Sequence, residues 1–170
     1  MSLSDREFWT VIHGLVLGTL FLLAFSGGLA GLWSLRPSLV TPAGRIERLH
    51  RLTVGMWGMA VVAWATVVTG TYIVYPWYRD KAATSARSVL LTDPGTAAWH
   101  TFGMEWKEHV AWMSPMLATA AAFVVMWYGP RLARDNRMRR LALALFVGAF
   151  VTAGVAGLFG AFINKAAPIR

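Results

Sequence analysis

Residues 141–163 read LALALFVGAFVTAGVAGLFGAFI, twenty-three positions without one titratable side chain. At 1.5 Å of rise per residue, a helix of that length crosses the ~30 Å hydrocarbon core of a bilayer. Strand alternation is absent, and lipid offers no partner to a backbone N–H or C=O. The segment must therefore satisfy itself as a helix. Working outward by the same criterion, three more apolar stretches fall at about 8–35, 52–77 and 104–128. The chain has 170 residues, 56% hydrophobic and 14% charged, with a mean hydropathy of +0.51. Soluble domains are about a quarter charged. The composition excludes disorder, a fibrous repeat and most soluble enzymes. The expected fold is all-α: an integral membrane four-helix bundle, one membrane domain over 1–170, with a loop at about 78–103.

The charges set an orientation. The chain carries 16 Lys+Arg against 8 Asp+Glu, a net of +8. The loop between the first two spans holds Arg36, Arg45, Arg48 and Arg51 with Glu47. The loop between the last two holds Arg131, Arg134, Arg137, Arg139 and Arg140 with Asp135. Nine basic and two acidic residues give that side +7, and seven against six give the other +1. The positive-inside rule places the Arg-rich loops in the cytoplasm and both termini on the outer, periplasmic side of a bacterial inner membrane. The basic charge then serves topology and anionic headgroups, with no nucleic-acid partner. Asp5 and Glu7 stand where a signal peptide would be basic, so the first span reads as a retained helix.

Aromatic and small residues fit those borders. Trp9, Trp77, Tyr78, Trp99 and Trp106 fall near the outer edge, and Trp33, Trp127 and Tyr128 near the inner one, where interface anchors belong. Small-xxx-small spacings occur at Gly14/Gly18, Gly27/Gly31, Ala153/Gly157 and Ala156/Gly160 and predict close helix approach. Ser114-Pro115 predicts a kink in the third span. Cysteine is absent, which excludes disulfides, thiol nucleophiles, iron–sulfur ligation and covalent c-type haem attachment.

Four histidines remain to be explained, because ionisable groups inside membrane spans are functional by default. His13 lies 23 positions before Arg36 and His109 lies 22 before Arg131. The two imidazoles are thus matched in depth to about one residue. Such a pair suits the two axial positions of one haem b iron. Met113, Met116, Ala120 and Phe123 share the His109 stripe. Gly14 and Gly18 leave space near His13. His50, on the opposite side, reads as a headgroup-facing residue or as one ligand of a second haem. His100, nine residues from His109, points to the other face of a continuous helix. It could replace His109 as a ligand or serve protons and docking at the surface.

Glu105 and His109 are i,i+4 neighbours, so the carboxylate can orient the ring. Glu105 and Glu108 are candidates for accepting protons released from a quinol. Lys107, Arg79 and Lys81 are candidates for pairing with haem propionates.

In chain length, four spans and histidines near the starts of the first three (His13, His50, His109), the chain resembles small four-helix membrane b-type cytochromes, the cytochrome b561-like and quinol-linked haem b anchor subunits. The family often carries paired histidines for two haems, including on its fourth helix, where this chain has none. The resemblance implies electron transfer between a quinone pool and an outer-side redox partner such as a periplasmic cytochrome. The chain would then be a quinol-linked oxidoreductase subunit within a larger membrane complex, with haem b and quinone as cofactors. The competing expectation is a cofactor-free accessory subunit of a respiratory or photosynthetic complex. A small transporter is a third, without an inverted repeat to support it.

Overall fold

The polar residues just before each apolar run start the helices, so the helices are longer than the runs. A computed structural model describes residues 3–39 and 41–169. It contains helices α1 (Asp5–Ser34), α2 (Gly44–Tyr78), α3 (Ala86–Thr92), α4 (Trp99–Ala133) and α5 (Asn136–Ala166). No strand occurs among the described residues. Four of the five, all but α3, are long and apolar enough to cross a membrane, at 30, 35, 35 and 31 residues. Ser4 caps α1 in a reciprocal box with Glu7: its hydroxyl accepts from the Glu7 N–H at 3.3 Å, and the Glu7 carboxylate accepts from the Ser4 N–H at 2.9 Å. Asp5 and Glu7 thus stand at the positive end of a helix. Asp135 caps α5, accepting from the Arg137 and Met138 N–H groups at 3.0 Å each.

By internal contacts the chain divides into two compact units, each drawing segments from all four long helices. The first comprises 1–19, 64–112 and 152–170. Its core gathers Tyr78, Ala86, Leu90, Met104, Ile163 and Ala167. The short α3 forms because Ser85 accepts from the Ser88 N–H at 3.2 Å, and it buries Ala86 and Leu90. Trp99, Phe102 and Trp106 of α4 mesh with Phe159 and Phe162 of α5. Gly103 leaves room for the Phe159 ring.

The second unit comprises 20–63 and 113–151. Phe25 stacks on Phe146 and Phe150, and Met56, Met59, Ala121 and Ala122 are buried in the same unit. Close approach is achieved at glycines other than most of those expected. A Cβ on Gly28 would lie 2.4 Å from the Phe146 ring, and one on Gly31 would lie 2.9 Å from Leu52. Gly14, Gly18, Gly27 and Gly157 would meet nothing within 4 Å. The break expected at Ser114-Pro115 falls at 110–112, where a turn interrupts α4. Proline lacks an N–H and clashes with the carbonyl four residues earlier, so the α-helix restarts at Met113 with Pro115 in its first turn. Ser114 donates to the Ala149 carbonyl of α5 at 2.8 Å.

Large apolar side chains such as Leu15, Leu23, Val61 and Leu158 are 60–66% exposed on the long helices. A soluble surface of this kind would aggregate, whereas lipid solvates it. The chain is an integral membrane protein.

Candidate functional site

Polar side chains concentrate in the first unit, and so do its irregular turns. Three segments wind as π-helical turns: Ile12–Val16, Gly70–Val74 and Trp99–Met104. Such turns are rare and recur at functional sites. His13 lies in the first and His100 in the third, and the second opens with the glycine that receives the His13 ring.

The His13 imidazole sits beside α2 with Nδ1 at 3.2 Å from the Thr69 Oγ1. The Thr69 hydroxyl donates its one hydrogen to the Ala65 carbonyl at 2.7 Å. With that hydrogen so used, its oxygen can accept from a His13 Nδ1–H, and the ring also bonds to the Thr66 backbone of α2. A Cβ on Gly70 would fall 2.6 Å from His13 Cε1, so glycine is what admits the ring. Lys107 reaches inward to α5, its amine 2.6 Å from where a Gly160 Cβ would stand. It is close enough to His13 for its charge to act on the ring.

His100 is buried with both nitrogens engaged. Arg87 Nε–H can only donate, and it donates to His100 Nε2 at 3.3 Å. The His100 proton is thus on Nδ1, donated to the Tyr78 hydroxyl at 2.9 Å. Tyr78 keeps its own O–H for another acceptor. The Glu108 carboxylate faces Tyr75 and acts electrostatically on Tyr78 and His100. Glu108 Oε1 is buried and has no hydrogen-bond partner among the described residues. Arg79 lies over the Tyr75 ring at 5.4 Å.

His109 is different. Its side chain is 72% exposed, and its Nδ1–H donates to the Glu105 carbonyl at 2.9 Å, with a Glu105 carboxylate oxygen at 3.6 Å. The expected Glu105–His109 pairing is therefore present, and His109 Nε2 makes no hydrogen bond among the described residues. The stripe below it faces out of the chain: Met113, Met116 and Phe123 are about half exposed. His50 is exposed in the second unit, and Lys81 is exposed near Arg79.

The structure thus draws His13, Lys107, Glu108 and His100 into the polar part of the first unit, and Glu105 to His109. No hydrogen bond joins His13 to His109 among the described residues. Tyr78, read from sequence as an interface anchor, is 1% exposed and holds His100. Arg87 carried no signal at all, since its partner lies 13 positions on across a loop. No protein-family model, curated protein or solved structure matches the chain.

Proposed function

We propose that this chain is a haem b electron-transfer subunit of a larger membrane complex, related in architecture to the small b-type cytochromes. In this reading it links the quinone pool to a redox partner on the side of the 79–98 segment, the periplasmic side of a bacterial inner membrane. The observation that supports it is shared by His13 and His109. Each turns Nδ1 to an oxygen partner, as metal-bound histidines do. His100 has no nitrogen to spare.

In this proposal two imidazoles on separate helices would hold a haem b iron, His13 oriented by a hydroxyl and His109 by a carbonyl. His13 and His109 are the ligands in this proposal, and haem, when bound, supplies one-electron exchange. Open space beside Gly14 and Gly18 flanks His13, and the exposed Met113, Met116 and Phe123 can cover an apolar planar group below His109. Lys107 offers a buried cation for a propionate. Glu108 Oε1 offers an unpaired acceptor to a quinol hydroxyl, with Tyr78 and His100 holding the carboxylate's surroundings. Glu105, more exposed and beside His109, is the secondary candidate.

Reduced-minus-oxidised absorbance of the purified protein tests the reading. A b-type α-band is expected in wild type and in His100→Ala, and its loss in His13→Ala and His109→Ala. A band that survives both substitutions would refute the ligand assignment. One observation favours the second reading, a cofactor-free accessory subunit: His109 turns outward with its stripe, as a subunit contact would. That protein would be colourless and co-purify with partners.

A further inference from the structure

A groove in the second unit carries positive charge with no acid to balance it. It has a volume of about 510 Å³ and lies between the end of α1 and the start of α5. Arg36, Arg139 and Arg140 line it together with Leu32, Trp33 and Leu143. The unit has only two acids, Glu47 and Asp135, and neither lines the groove. Glu47 pairs with Arg51, and Asp135 caps α5. The three arginines therefore line one groove without an acidic residue beside them in its lining.

Their roles differ. Arg139 is already used: it donates to the Leu132 and Ala133 carbonyls at 3.2 Å each and to Asn136, tying the loop to α5. Arg36 lies over the Trp33 ring at 3.7 Å, which fixes its direction, and it makes no hydrogen bond or ion pair among the described residues. Arg140 is exposed, with no hydrogen bond or ion pair among the described residues. Ser38 adds a hydroxyl to the same lining. Two available guanidinium forks and a hydroxyl match the oxygens of a phosphate. The Leu32, Trp33 and Leu143 wall matches an acyl chain. Both walls belong to the ends of membrane-length helices, where headgroups meet hydrocarbon.

We propose that this groove binds an anionic glycerophospholipid, with its phosphate on Arg36, Arg140 and Ser38 and an acyl chain along Leu32, Trp33 and Leu143. A free phosphate shares the headgroup chemistry but makes no use of the apolar wall. The site stands apart from the haem reading and holds whether or not the protein binds haem.

The test uses the full chain in detergent, with retained lipids counted by native mass spectrometry. Phosphatidylglycerol is expected to be retained over phosphatidylcholine of the same chain length. The Arg36→Gln/Arg140→Gln double variant is expected to lose roughly twenty-five-fold in that retention, at about fivefold per guanidinium. Arg134→Gln/Arg137→Gln removes the same charge outside the groove and is expected to retain lipid as wild type does. Equal loss in both double variants, or no preference for the anionic lipid, would overturn the site. Excess inorganic phosphate is expected to leave the lipid bound, and its displacement by phosphate overturns the lipid as occupant. A second readout needs no arginine variant. Phosphatidylglycerol brominated on its acyl chains should quench a fluorescence component present in wild type and missing in Trp33→Phe. Equal quenching in the two proteins would place the chain elsewhere.

Discussion

At Gly70 a single methyl group separates two arrangements of His13. A Cβ there would stand 2.6 Å from the ring, too near for any real contact, so either the imidazole or α2 must move. Gly70→Ala is expected to destabilise the protein by about 1–3 kcal/mol as an overpacked site does. Gly14→Ala, which meets nothing within 4 Å, is expected to be neutral or slightly stabilising through helix propensity. Thermal unfolding in detergent compares the two, and equal stabilities would show that His13 does not pack on Gly70. The sequence pointed to His13 as a residue needing a reason, because a histidine among apolar neighbours is conspicuous. It could not point to Thr69 or Gly70, which lie 56 and 57 positions away and look like any small residues in a span. His100 was harder still: its partners Tyr78 and Arg87 read as a belt anchor and a loop cation until the chain is folded.

Among the elements, α4 shows most clearly what apolar runs reveal and what they hide. The run itself announces a membrane-length helix, and Pro115 announces an interruption. The place of the break at 110–112 and the early start at Trp99 do not follow from hydropathy, because polar turns continue a helix as readily as apolar ones. The π-helical turns leave no sequence mark, and six residues that each turn through less than the α-helical 100° spoil the angular relation drawn between His100 and His109. The restarted part of α4 is tied to α5 by the Ser114 hydroxyl on the Ala149 carbonyl. Hydrogen bonds between membrane helices average about 0.6 kcal/mol and reach about 1.7 kcal/mol. Ser114→Ala is expected to cost within that range in a denaturing-detergent titration, and a cost near zero would show the bond to be replaceable by packing.

For the whole molecule, the apolar exterior and the nine-to-two imbalance of the Arg-rich loops make an orientation testable. Because cysteine is absent, single-cysteine variants report one site each. Ala83 and Ser38 are both exposed, on segments that topology assigns to opposite sides of the membrane. A membrane-impermeant maleimide is expected to label Ala83→Cys in intact cells and Ser38→Cys only after the membrane is opened. The reverse pattern would move the proposed redox partner to the cytoplasm.

The three wide turns also have a genetic consequence. Each accommodates one residue more than an α-helical turn, so each behaves as an insertion absorbed without breaking its helix. A one-codon deletion at Gly14 would leave α1 continuous and as apolar as before. The wide turn would close to an α-helical one with the faces on either side of it kept, whereas one codon lost from Leu17–Ser34 would swing everything upstream, His13 included, by about 100° relative to everything downstream. The polar cluster would be dismantled by a change that hydropathy does not register.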